Sequence, residues 1–96
     1  MNELEINKAV AEKLGAVNVK PCSEGDKVFW EVRGQFFMRD YCEDWEDGGP
    51  IIEEYKISLY YSHELKKWGA DTEERTEGIN KNPLKAAMLC FLEMEI

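Results

Sequence analysis

The most constraining feature of this sequence is a predicted helix near its end that is apolar on most sides. Asparagine caps a first helical turn and proline fits its first position, so Asn82 and Pro83 mark the start of this helix. The run 84–94 that follows is almost continuously apolar. At about 100° per residue, one side carries the residues that we expect at the centre of the core. They are Leu84, Ala87, Met88, Phe91 and Met94.

The first predicted helix spans 3–14 and presents a narrower apolar stripe. Asn2 is a suitable N-cap for it. The stripe has the i, i+4, i+8 spacing of a helix packed on one face and consists of Ile6, Val10 and Leu14. Asn7 borders the stripe, and we expect its amide to be satisfied by backbone groups or water.

The segment 27–40 is predicted to form a β-hairpin, because β-branched and aromatic residues dominate both sides of Arg33 and Gly34. A three-residue loop, 32–34, with Gly34 in the left-handed conformation, would fix its register. That register places four large apolar side chains on one face: Trp30 opposite Phe36, and Val28 opposite Met38.

Two apolar surfaces are candidate contacts with a partner protein or, in a homodimer, with a second copy. In the predicted register, Phe29 and Phe37 share the outer face of the hairpin. The outer side of the last helix carries Ala86, Leu89, Glu93 and Ile96. We take Leu89 and Ile96 as the candidate contact there, although a single exposed leucine is ordinary.

The segment 40–52 combines aromatic residues, several acids and a Gly-Gly-Pro sequence. Pro50 fits the first position of a short middle helix that ends near Lys56. The two glycines before it are expected to give the backbone a tight path into that helix. Most of the acids are then helix-start residues and a solvated rim.

These elements predict an α+β fold. A small antiparallel sheet of three or four strands is expected, with the N- and C-terminal helices packed on one face and the short middle helix beside it. After the hairpin, 57–62 and 68–70 have strand character, and 71–81 is predicted to be a mobile polar loop. A chain of 96 residues accommodates one domain, 1–96.

Composition disfavours several functional classes. The net charge of −8 disfavours direct binding of nucleic acid, whose phosphates require basic residues. No apolar run approaches the roughly 20 residues that span a membrane, and the acidic N-terminus is unlike a signal peptide, so we expect a cytoplasmic protein. Cys22, Cys42 and Cys90 are widely spaced and odd in number, which indicates free thiols.

The sequence contains no recognisable catalytic or metal-binding motif. The acids of 43–47 lack the spacing of a calcium loop, and the glycines lack the pattern of a phosphate loop. His63 lies in a charged turn without a nucleophile signature nearby. We therefore predict no catalytic residue, no metal and no cofactor.

Aromatic residues beside polar loops remain as candidates for function. Such residues form either the half-buried lid of a core or the anchors of a binding surface. On the second interpretation, an acidic-aromatic surface consists of Tyr41, Asp44, Trp45 and Trp68.

Several motifs, in order along the chain, resemble the NinX-like group of small tailed-phage and prophage proteins. The residues that carry the resemblance are Tyr41-Cys42, Trp45, Gly49-Pro50-Ile51-Ile52, Ile57, Trp68-x-Ala70 and Asn82-Pro83-Leu84-Lys85-Ala86-Ala87-Met88-x-Cys90, with Asn7-x-Ala9-Val10-Ala11 near the start. The resemblance implies an accessory gene product of a phage or prophage in the cytoplasm of an infected bacterium. It transfers no catalytic residue.

The expected function is therefore non-enzymatic binding of a host or phage protein through the acidic-aromatic surface. One alternative is a small-molecule-binding domain or minor enzyme, with a pocket between loop 41–49 and Trp68. Another is acidic mimicry of nucleic acid, which requires the carboxylates to be spaced like phosphates along one face.

Overall fold

The structure, a computed structural model, describes residues 1–74 and 76–96. Its elements in chain order are α1 Glu3–Lys13, β1 Lys20–Pro21, β2 Val28–Val32, β3 Gln35–Arg39, α2 Trp45–Glu54, β4 Ser58–Ser62, β5 Lys67–Asp71, β6 Glu77–Asn80 and α3 Pro83–Glu93. The predicted α+β class, with terminal helices and a middle helix, is confirmed. The strands form two antiparallel sheets, ordered β1-β2-β3 and β4-β5-β6, instead of one.

Helix α3 is the centre of the molecule. It contacts α1, α2 and all three strands of the second sheet, whereas α1 contacts α3 and the first sheet. The terminal helices therefore pack against each other, each covering a different sheet. All five residues predicted at the core centre are buried: Leu84, Ala87, Met88, Phe91 and Met94. Burial of a Leu, Phe or Met side chain stabilises a fold by about 1.5–3 kcal/mol.

Helix α1 begins as predicted and ends earlier. The Asn2 side chain accepts from the Glu5 N–H at 2.8 Å, and the Glu5 carboxylate accepts from the Asn2 N–H, which together form a capping box. The helix ends at Lys13, so Leu14 leaves the predicted stripe and is exposed. Ile6 and Val10 are fully buried.

Lys13 closes the far end of α3, whose last turn contains no basic residue. Its Nζ donates to the carbonyl of Phe91 at 2.7 Å and to that of Met94, and it lies 5.0 Å from the centre of the Phe91 ring. A cation at the C-terminal end of a helix satisfies free carbonyls and opposes the helix dipole.

The predicted register of the first hairpin is wrong by one residue. Its loop has two residues, Arg33 and Gly34, with φ values of 51° and 81°. Two left-handed residues make a type I′ turn, whose twist matches that of the strands. The cross-strand pairs are therefore Trp30 with Phe37, stacked 5.9 Å apart, and Phe29 with Met38. Phe36 and Met38 move to the face of Phe29, and Phe37 joins Trp30.

Helix α2 starts at Trp45, five positions before the predicted start at Pro50. The Asp44 carboxylate caps it by accepting from the Glu46 N–H at 2.9 Å. Pro50 therefore lies inside the helix, where its ring cannot donate to the carbonyl one turn earlier. A Cβ on buried Gly48 would lie 2.7 Å from the Tyr41 carbonyl oxygen and 2.8 Å from a Leu84 methyl, so glycine lets α2 approach α3 closely.

The segment 71–81, predicted as a mobile polar loop, contains strand β6 instead; Arg75 lies outside the described residues. This strand covers the side of α3 that was expected to face outward, and Ala86 is fully buried beneath it. The contact requires Gly78, because a Cβ there would overlap the Ala86 carbonyl oxygen.

All three cysteines are free, with Cys42 and Cys90 buried. No helix within 1–74 or 76–96 combines the length and apolar character that crossing a membrane requires.

The adjacent glycines of α2 provide a matched test of this packing. We expect Gly48→Ala to lower the free energy of unfolding by about 1–3 kcal/mol, because its methyl group would overlap a backbone carbonyl. At Gly49 an added methyl meets no atom within 4 Å. There the helix-propensity gain of about 0.5–1 kcal/mol is opposed by the following proline, so we expect a small change. Urea denaturation of both variants checks this, and equal losses would contradict it.

Candidate functional site

The buried side chain of Asn7 ties α1 to both ends of the first hairpin. Its Nδ2 donates to the Asp26 carbonyl at 2.7 Å, before β2, and to the Asp40 carboxylate at 3.0 Å, after β3. Its Oδ1 accepts from the Cys42 N–H at 3.1 Å. Asn7 was predicted at the edge of the helix stripe, but it is fully buried. Backbone groups supply two of its partners, as expected.

Asp40 and Asp47 fold the chain from β3 into α2. The Asp40 carboxylate accepts from the Glu43 N–H at 3.2 Å in addition to Asn7. Asp47, in the first turn of α2, accepts from the Asp40 N–H at 2.9 Å and forms an ion pair with Arg39 at 3.6 Å. These acids therefore hold the turn between the two elements.

Asn82 attaches the start of α3 to the same turn. Its Oδ1 caps α3 by accepting from the Leu84 N–H at 2.9 Å. Its Nδ2 donates to the Cys42 carbonyl at 2.9 Å and to the Glu43 carboxylate at 3.1 Å. We call Asn7, segment 40–44, Asp47 and Asn82 the polar junction. All three helices meet there.

Two candidate binding residues are adjacent in the chain: Asp44, the last residue of segment 40–44 in the polar junction, and Trp45, which follows it. Trp45 is the first residue of α2 and is 53% exposed, a large value for the largest side chain. The Asp44 carboxylate is occupied as the cap of α2. Within the described chain, Glu46 is an exposed acid whose carboxylate makes no hydrogen bond or ion pair.

Tyr41 and Trp68 lie elsewhere. Tyr41 is buried, only 4% exposed. Trp68 belongs to the second sheet, where its ring packs edge-on against Tyr61 at 5.5 Å. Tyr61 in turn contacts the His63 ring at 5.1 Å. The four residues therefore divide into an exposed pair, one core residue and a separate aromatic cluster.

An apolar groove beside Tyr41 was not predicted. It lies between the end of α1 and the first hairpin and has a volume of about 420 Å³. Its lining consists of Ala11, Leu14, Gly15, Ala16, Val17, Trp30, Val32, Phe37, Arg39 and Tyr41. The signal for it was the Arg33-Gly34 pair: a two-residue turn puts Trp30 and Phe37 on one face, whereas the assumed three-residue loop separates them.

The structure changes both of the apolar surfaces that were predicted as partner contacts. Phe29 and Phe37 occupy opposite faces of the hairpin, and Phe37 lines the groove. Leu89 is half-buried against the core, while Ile96 is exposed beyond the end of α3.

The sequence matches one known protein family over nearly its whole length. A family model described as "Bacteriophage P22, NinX" matches residues 1–95. The chain belongs to the NinX family. It is therefore a phage-encoded accessory protein. The matched range includes both the first hairpin and all three helices. Searches of curated proteins and of solved structures gave no match.

Three buried groups of this NinX-family chain have raised pKa values. Burial, with the nearby Glu3 and Asp40 carboxylates, raises the pKa of the Cys42 thiol to about 12, so the thiol stays protonated at neutral pH. Burial also raises the pKa of Tyr41 to about 12 and that of Cys90 above its usual value. Protonated thiols are poor nucleophiles, which favours a structural role for both cysteines.

Glu3 and Glu43 form a carboxyl pair at the rim of the polar junction. Their mutual hydrogen bond, then burial and charge repulsion, raise the pKa of Glu3 to about 7, although Lys85 opposes the shift. Such a group stabilises the fold when protonated. This contribution is complete below pH 4.5, the usual pKa, and is lost as the pH rises through about 7.

Removing the Asn7 amide should weaken the whole fold. We expect Asn7→Ala to lower the free energy of unfolding by about 2–4 kcal/mol, because the buried Cys42 N–H loses its acceptor and Asp40 loses a donor. The Asn7→Asp protein should have a much lower free energy of unfolding at pH 7. Its stability should recover in acid, where the protonated carboxyl group can donate a hydrogen bond. Urea denaturation measures both. Glu12→Ala, on the exposed side of α1, is the control, and an equal effect there would refute the role of Asn7.

The carboxyl pair predicts a specific pH profile. We expect Glu3→Gln to remove the loss of stability between pH 4.5 and about 7, since the amide donates to Glu43 without titrating. The free energy of unfolding of the variant minus that of the wild type should therefore rise across this window. Urea titrations at each pH measure it, with Glu12→Gln as a control for net charge. A difference independent of pH would rule out the shared proton.

Proposed function

We propose that this phage protein acts by binding a host or phage protein in the cytoplasm of the infected cell, without catalysing a reaction. The observation that carries the proposal is the 53% exposure of Trp45 at the start of α2. Tryptophan is strongly enriched among the residues that dominate binding energy, because its ring buries a large area with little loss of conformational freedom.

The polar junction supports Trp45 as a rigid anchor. Asp44 caps the helix on which the indole is mounted, and Asp47 and Asp40 fix the turn before it. An anchor held in place before binding loses less entropy when the complex forms. Trp45 therefore lies at a helix start that the hydrogen bonds of Asp40, Asp44 and Asp47 hold in position.

The surrounding charge indicates the chemistry of the partner. Exposed Glu46 and the cap Asp44 flank the indole, and the chain carries a net charge of −8. Lysine and arginine side chains pair with carboxylates and also pack over the face of tryptophan. The proposed partner therefore presents a basic surface, and complementary charge should speed the association.

A matched set of variants tests this function. Trp45→Ala and Glu46→Gln change exposed side chains and leave the cap and the polar junction intact. Leu65→Ala removes a comparably exposed apolar side chain from the turn between β4 and β5 and is the control. We expect partners recovered from infected cells to be lost with Trp45→Ala, by at least about tenfold, and reduced with Glu46→Gln. Equal recovery with Trp45→Ala and Leu65→Ala would reject the proposal.

The groove beside Tyr41 favours a second candidate, binding of a small apolar ligand. Its volume of about 420 Å³ lies within the range of about 300–1,000 Å³ that ligand pockets occupy. Trp30 lines this groove, whereas Trp45 is not among its lining residues. Tryptophan fluorescence of Trp30→Phe and Trp45→Phe therefore separates the two candidates. The fluorescence change caused by a groove ligand should be lost in Trp30→Phe, and the change caused by a protein partner should be lost in Trp45→Phe.

A further inference from the structure

Strand β3 forms an open edge of the first sheet, because it is the last strand in the order β1-β2-β3. An edge strand presents N–H and C=O groups on which another strand can pair. We propose that this edge pairs antiparallel with the same edge of a second copy of the chain. The two first sheets then join into one continuous sheet across a twofold axis.

The hairpin register determines which backbone groups face the open edge. Val32 and Gln35 close the two-residue turn, so they form a hydrogen-bonded pair. Such pairs alternate along an antiparallel ladder, which directs the groups of Phe37 toward β2 and those of Phe36 and Met38 outward. The Met38 carbonyl accepts from the Arg39 guanidinium at 2.8 Å and retains a second lone pair.

These outward groups are self-complementary. In a pairing centred on Phe37, Phe36 lies opposite Met38 of the second copy, and Gln35 lies opposite Arg39 of the second copy. Each of the two equivalent Phe36–Met38 pairs then exchanges two hydrogen bonds. This register uses every outward group between Gln35 and Arg39 and leaves the ladder to β2 unchanged.

The side chains at this edge are suited to burial. Phe36 is 68% exposed and Met38 is 55% exposed, and both lie on the same face as half-buried Phe29. Natural edge strands usually carry charged residues, proline or a bulge that prevents pairing. The strand 35–39 has no proline or bulge, and its one charged residue, Arg39, is ion-paired with Asp47 of the same chain. In the proposed dimer, each phenylalanine packs beside a methionine across the strands, an arrangement that stabilises sheets.

Charge favours a second copy in the antiparallel direction. No acid occurs between Glu31 and Asp40, although the chain contains 20 acids. One end of the edge carries Arg33, and the other end carries Arg39 with Asp40 and Asp47, so its net charge is negative. Pairing centred on Phe37 brings Arg33 toward this net negative end of the second copy, whereas parallel pairing would bring like charges together.

The dimer does not depend on the Trp45 surface. Trp45 and Asp47 are two residues apart on α2, or about 200° around the helix, so the side that meets β3 is not the side that presents the indole. Loss of partner binding and loss of dimerisation are therefore separate results.

A charge reversal in the turn tests the register. Sedimentation of the wild-type protein over a concentration series should show a monomer–dimer equilibrium. Arg33→Asp should raise the dissociation constant at least about tenfold and leave the hairpin as stable or more stable, because Asp-Gly suits a type I′ turn. Lys66→Asp is the control: it changes the net charge equally, at a similar φ of 54°, in the turn of the second sheet. It should leave the dissociation constant unchanged.

A proline tests the hydrogen bonds themselves. Met38→Pro removes an N–H that points away from β2, so the folded variant should keep the hairpin and be monomeric. Circular dichroism and urea denaturation establish its fold; if it does not fold, the comparison of Arg33→Asp with Lys66→Asp decides alone. A wild-type monomer at every concentration up to about 1 mM would overturn the proposal. So would a folded Met38→Pro dimer, or equal weakening by both charge reversals.

Discussion

The fold depends on the hydrogen bonds of one buried amide, that of Asn7. A fully buried asparagine is stable only if its donors and acceptor find partners, and here they are Asp26, Asp40 and Cys42. These partners lie before and after the first hairpin, so α1 holds both of its ends. The Cys42 carbonyl accepts a hydrogen bond from the Asn82 side chain, so the same turn positions the start of α3.

This constraint explains the unusual composition of the segment 40–52. Asp40, Asp44 and Asp47 each accept a backbone hydrogen bond, and Gly48 lets α2 approach α3. Residues that resemble a site in the sequence therefore serve mainly to join helices. Trp45 differs, because half of its surface remains in contact with solvent, on a helix start that hydrogen bonds of Asp44 and Asp47 hold.

Local signals in the sequence predict the terminal helices. Features that depend on long-range contacts could not be predicted in the same way. Asn2 and Asn82 act within one helical turn, so both helix starts follow from the sequence. The register of the hairpin depends on whether Arg33 adopts a left-handed conformation, which arginine rarely does. Strand β6 consists of Glu77–Asn80, a segment without strand-like alternation, and it forms because Gly78 fits against α3. The burial of Asn7 likewise depends on partners 19 to 35 residues away.

The position of α3 in the chain affects how the protein can fold during synthesis. The contacts of α3 with Lys13 span 78 to 81 residues. Helix α3 also packs directly on the second sheet and, through α1, supports the first sheet. Contacts between distant parts of a chain are entropically costly to form and slow folding. Helix α3 follows all six strands in the chain, so the strands have no complete surface to pack on until α3 has been synthesised. The core therefore closes only after α3 has emerged from the ribosome.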